Sequence, residues 1–195
     1  MDKMKEYYKN GIMALIPTYI EMIGDSTKVI TKNSNEYYIY KSIRAIINLL
    51  ARYNHIDLKE TRRFYGNKIG CKNLIPIPFS KENIFAPIKV RAAISKNDSS
   101  FGYINIKYIE KIKEKDELGV IYLNDGVQID TYQRLETVEK HIRNGKLVES
   151  IYNGRGNVIV SERNIDFYQD YNTPATKGDI AALRNDILYM IKEVK

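Results

Sequence analysis

The stretch TKVITKNSNEYYIYKSIRAIINLLARYN, residues 27–54, decides the fold class. Thr27–Lys32 alternates polar and apolar side chains, the period-2 pattern of a strand with one buried face. Asn33-Ser34-Asn35 is a turn signal, and Glu36–Tyr40 is rich in β-formers, so the two runs predict a hairpin. From Ser42 the period changes. Ile43, Ile46, Ile47 and Leu50 fall on one side of a 3.6-residue helix, and Ser42 stands where an N-cap hydroxyl belongs. Strand, strand and helix in direct succession argue for α+β rather than a regular β-α-β alternation.

Working outward, IMALIPTY (12–19) reads as a strand closed by Pro17. DLKETRRFYG (57–66) predicts a second helix with Asp57 as cap and Gly66 as stop. Pro76, Pro78 and Pro87 make 73–88 extended, edge-strand or loop chain. APIKVRAAI (86–94) alternates so as to project Lys89 and Arg91 from one strand face. GVIYLNDGVQIDTY (119–132) carries a hairpin signal at Asn124-Asp125-Gly126. Asp130 or Thr131 then caps a helix that Asn144-Gly145 ends. Val158–Val160 is a short strand candidate, NGRGN (153–157) a loop, and 166–178 a connector. In DIAALRNDILYMIKEVK, residues Ile180, Leu183, Ile187, Met190 and Val194 recur at 3, 4, 3, 4 spacing, the seam of a self-associating helix or one that docks on its parent. The expected organisation is a domain over 1–165 and a connector with a closing helix over 166–195.

A chain of 195 residues, 44% hydrophobic and 28% charged, has an ordinary globular composition and can bury a core without staples. The single cysteine excludes an intramolecular disulfide and a four-cysteine zinc site, and suits a reducing cytosol. No run of apolar residues reaches the length of a membrane span, so no membrane partner is expected. The net charge of +7 is unevenly placed: residues 51–115 hold 14 basic against 6 acidic side chains, while 116–195 hold 10 against 13. A basic block followed by an acidic one is the footprint of a polyanion binder.

The densest part of that block is RRFYGNKIGCKN (62–73). It is not a phosphate loop: three residues rather than four separate the glycines, Cys71 separates Gly70 from Lys72, and Asn73 rather than Ser/Thr follows. Cys71 lacks a supporting catalytic signature, and His55 and His141 lack metal-ligand spacing; His141 reads as a solvated helix residue. No cofactor, metal or catalytic constellation is expected. Binding is the better reading, through Arg62, Arg63, Lys68 and Lys72, with Lys89, Arg91, Lys96 and Lys107 downstream. Phe64 and Tyr65 divide between core packing and base stacking. A protein-interaction or structural module with a basic patch, and a nucleic-acid-modifying enzyme, are the rival classes.

The order of elements resembles the ComK family of bacterial competence transcription factors over residues 7–150. YKNGIMALIP is similar to the family's N-terminal tyrosine, turn and strand. KVIT and EYYIYKS lead into an isoleucine-rich helix, and RFYGNKIGCK is similar to its aromatic-aromatic-glycine, spacer and Gly-Arg-Lys element. PIPFSKENIFAPI, FGYINI and VIYLNDGVQIDT follow in family order. Cys71 stands where the family usually has arginine, and residues 151–195 do not match. The resemblance implies a self-associating activator that binds paired A/T-rich boxes in double-stranded DNA, largely from the minor groove, and bends them. It also implies a cytoplasmic, nucleoid-associated protein and a regulatory adaptor as a further partner, although the adaptor motif is not visible. Arg62, Arg63 and Arg91 are then the preferred groove contacts, because arginine suits a narrow, electronegative minor groove.

Overall fold

The computed structural model describes residues 2–93 and 99–154. Lys96, the strand candidate 158–160, the domain boundary at 165 and the heptad residues Ile180, Leu183, Ile187, Met190 and Val194 lie outside the described residues. Within them the fold is α+β. Helix α1 (Asp2–Lys9) precedes the strands β1 (Ile12–Ile20), β2 (Gly24–Thr31) and β3 (Glu36–Ile39). Helices α2 (Ile43–Tyr53) and α3 (Leu58–Lys68) follow. Then come β4 (Ile77–Ser80), β5 (Asn83–Lys89), β6 (Phe101–Asn105), β7 (Ile109–Lys115), β8 (Leu118–Leu123), β9 (Gln128–Asp130) and α4 (Leu135–Tyr152). Six strands form one sheet in the order β3-β2-β1-β6-β5-β4, and β7-β8-β9 form a second. All pairings are antiparallel.

Both hairpins read from the sequence form. Val29 pairs with Tyr37 across the β2–β3 reversal. Ile121 pairs with Ile129 across the second, where Asp125 and Gly126 adopt the positive φ values of 62° and 77° that the turn needs. The prolines sit where their missing N–H costs least. β1 runs on through Pro17 to Ile20 instead of closing there, and Pro17 lies beyond the residues that pair with β6. Pro78 is on the edge strand β4, and Pro87 lies past the part of β5 that pairs with β4.

The large sheet is packed on both faces. On one, Leu15, Val29, Phe79 and Phe85 meet Ile43, Ile46, Ile47 and Leu50 of α2 and Met4 of α1. On the other, Met13, Ala14, Ile30, Ile88 and Ile104 meet Ile121, Leu123 and Ile129 of the small sheet and Val138 and Ile142 of α4. Each fully buried Ile or Leu of this kind stabilises by roughly 1.5–3 kcal/mol. Helix α1, which the sequence reading did not include, is anchored by a Tyr7–Tyr37 stack at 4.3 Å and by the Tyr8 hydroxyl donating to Asn54 Oδ1 at 2.9 Å.

Two helix stops and one cap differ from expectation. α3 passes through Gly66 and α4 through Gly145. A Cβ at Gly145 would stand 2.6 Å from Ile106 Cγ2, so this glycine permits close packing rather than ending the helix. α4 begins at Leu135, and Thr131 is occupied otherwise, its hydroxyl donating to the Gly119 carbonyl at 2.6 Å. The strand read at 86–94 is displaced too: β5 starts at Asn83 and ends at Lys89.

Candidate nucleic-acid interface

RRFYGNKIGCKN is the last two turns of a helix and its exit, not a turn. Asp57 begins α3, its carboxylate accepting from the backbone N–H groups of Lys59 at 2.8 Å and Glu60 at 3.0 Å. Gly66 lets the chain fold back closely. A Cβ there would meet the Cys71 carbonyl oxygen at 2.7 Å, and the Cys71 N–H donates to the Gly66 carbonyl at 2.9 Å. Gly70 at φ +67° makes the reversal.

This local geometry sorts the side chains of α3. Tyr65 and Ile69 pack on a small apolar cluster with Ile84, Ala86, Ile106 and Val148. Phe64 is exposed on the outside of the helix, with the Lys68 ammonium 6.0 Å from its ring. Arg62, Arg63, Gly66 and Asn67 instead line a cleft together with Lys72, Asn73 and Leu74 from the helix exit and Pro87 and Tyr103 from the sheet. A second hollow adjoins it, sharing Arg62, Leu74 and Tyr103 and adding Ile43, Arg44, Ile47 and Asn48 of α2 with Ser99, Ser100 and Phe101. Their volumes are about 520 and 600 Å³. Four cationic side chains, Arg44, Arg62, Arg63 and Lys72, line this double cleft, and among the described residues no Asp or Glu does. The lining is therefore positive. Among the described residues Arg63 is paired with Glu60, which accepts from its Nε at 2.9 Å, and that pair is exposed and worth little.

The basic residues singled out from the sequence thus separate. Arg62, Arg63 and Lys72 converge. Lys89 stands two residues beyond Pro87 and pairs with Phe101, which places it beside the cleft by register. Lys68 is on α3 but does not line the cleft. Lys107 belongs at the opposite end of β6, in an ion pair with Glu82 that holds its pKa up through the hydrogen bond between them. Arg91 needs the plainest correction. It does not project from a strand beside Lys89. Its guanidinium donates to Asp25 Oδ1 and to the Ser99 carbonyl, each at 2.9 Å, and the side chain is only 14% exposed. It clamps the β1–β2 hairpin to the end of β5. Arg44 and Asn48, which sequence reasoning missed, take a place in the cleft. They lie one helical turn apart on the polar side of α2.

Cys71 and His141 are each placed by neighbours within the fold. Cys71 is half-buried, and its Sγ accepts from Asn144 Nδ2 at 3.3 Å, which ties the exit of α3 to α4. His141 is not solvated: it is 8% exposed. The Lys89 N–H donates to Gln133 Oε1 at 2.9 Å, which turns the Gln133 amide nitrogen toward His141 Nε2 at 3.3 Å. The imidazole is then neutral, with its proton on Nδ1, and that atom has no protein partner. Burial first, and the charge of Lys140 second, lower its pKa below the ordinary value of 6.5. Among the described residues no group of three or more His, Cys, Asp or Glu side chains could hold a metal ion. No described helix is long and apolar enough to cross a membrane.

Compared with known proteins, the chain matches no family model, no curated protein and no solved structure.

Proposed function

We propose that this protein is a DNA-binding transcriptional regulator of activator type, and that the α2–α3 cleft is its grip on A/T-rich double-stranded DNA. One observation carries the reading: four cations from two helices and a loop converge on one concave surface that no Asp or Glu among the described residues lines. Such a surface attracts a polyanion. The resemblance to the competence regulators supports the same conclusion and implies the preference for A/T-rich sites approached from the minor groove. Arg62, Arg63 and Arg44 are the side chains suited to the enhanced negative potential of such a groove, with Arg44 in the role first given to Arg91. Lys72 supplies a phosphate contact, which sets affinity and register rather than sequence choice, and the three arginines neutralise phosphate charge as they enter the groove. Self-association, a place at the nucleoid and an adaptor partner belong to this proposal through the same resemblance.

Mobility-shift titrations with A/T-rich and G/C-rich duplexes of equal length, each at several salt concentrations, test it. The A/T-rich duplex is expected to bind more tightly at every salt concentration. Equal affinity for the two, or no binding at low salt, would refute the proposal.

A further inference from the structure

Phosphate neutralisation accounts for the rim of the cleft but not for its floor. Arginine, lysine and asparagine side chains suffice to hold a sugar–phosphate backbone, and a convex or flat basic face serves that purpose on a duplex. Here the cations surround a concave apolar surface made by Ile47, Leu74, Pro87, Phe101 and Tyr103. Each half of the cleft lies within the range of about 300–1,000 Å³ that holds a small molecule, the size of one nucleotide rather than of a duplex. Phe101 and Tyr103 stand two residues apart on β6, so they share a face of the sheet, and β6 is held between β1 and β5. Aromatic rings spaced along an inner strand, flanked by basic side chains, are the surface on which unstacked bases lie flat. The amides of Asn48 and Asn73 at the same walls each offer a donor pair and an acceptor, which is what the edge of a base requires.

From this combination we infer that the cleft receives an unpaired nucleotide, its base against Tyr103 and Phe101 and its phosphates against Arg62 and Lys72. The inference rests on the DNA-binding reading and adds to it a partly opened duplex as the preferred ligand. A/T-rich DNA fits that role because its flexible T-A steps unstack most easily.

The test compares two A/T-rich duplexes of identical sequence, one fully paired and one with a single unpaired thymine at its centre, by fluorescence anisotropy. The bulged duplex is expected to bind roughly 5- to 150-fold more tightly, the range for stacking one base on an aromatic side chain. Tyr103→Leu and Phe101→Leu, made separately because Tyr103 also packs on the core, are expected to bring the bulged-to-paired ratio down toward one. A ratio near one for the native chain, or a ratio that neither substitution moves, overturns the inference and leaves the duplex reading standing. Binding of the bulged duplex alone supports the inference and refutes duplex recognition. Binding of neither overturns both.

Discussion

Salt dependence puts a number on the cleft. Each phosphate neutralised by a cation releases condensed counterions, so the logarithm of affinity falls with the logarithm of salt by about 0.9 per contact. With Arg44, Arg62, Arg63 and Lys72 engaged, the slope is expected near about −3.6, and affinity falls about 150-fold between roughly 50 and 200 mM salt. Arg62 is shared by both halves of the cleft and is the residue to remove. Arg62→Ala is expected to bring the slope to about −2.7, so that the same change in salt costs about 40-fold. Because Arg62 is exposed on α3, its loss should change folding stability by no more than about 0.5 kcal/mol. Anisotropy titrations at four salt concentrations, with thermal melts of both proteins, measure both quantities. A native slope shallower than about −1, or identical slopes for the two proteins, would refute the count of contacts. A large loss of stability in Arg62→Ala would make the arginine structural and remove it from the interface.

Two further outcomes follow from burial. Gly66→Ala gains up to about 1 kcal/mol of helix propensity, but its Cβ would meet the backbone carbonyl of Cys71 at 2.7 Å, and overpacking of this kind costs about 1–3 kcal/mol. A net destabilisation of about 1 kcal/mol in urea unfolding is expected, and an unchanged or raised midpoint would contradict the geometry. His141 is held neutral in the fold, with its pKa lowered below 6.5, while the unfolded chain takes up a proton near 6.5. Its contribution is therefore whole above pH 6.5 and is lost progressively as the pH falls from there through the folded-state value. His141→Leu should flatten the decline of stability below pH 6.5. A decline as steep as that of the native chain would assign it to other groups.

What the sequence revealed was mostly local. The caps Ser42 and Asp57, the Asn-Asp-Gly reversal and the isoleucine face of α2 each rest on residues within one turn or hairpin, and each formed as read. Gly66 and Gly145 read as stops because a glycine at a helix end and one at a close approach look alike in sequence. Only the contacts with Cys71 and Ile106 distinguish them. Arg91 was assigned to the interface because its ion-pair partner, Asp25, stands 66 positions away. Arg44 was missed for the opposite reason. It lies in residues 1–50, where 7 basic side chains stand against 5 acidic ones, and the hollow that α2 shares with α3 is what brings it to the basic side. α1 offered no signal beyond Met4, Tyr7 and Tyr8 at helical spacing in a charged octapeptide.

The floor of the cleft has a second employment. Ile43 and Ile47 line it from one side and, from the other, belong to the main apolar cluster beneath the sheet. A substitution there alters the shape offered to a ligand and the stability of the fold in one stroke, so selection cannot adjust the first without risking the second. The rim is under no such constraint. Arg44, Asn48, Arg62 and Lys72 stand at exposed positions and can be exchanged at little structural expense. Divergence among copies of this protein should therefore run along the rim, with a conservative floor beneath it, and a new preference in its ligand would be written in those few polar positions first.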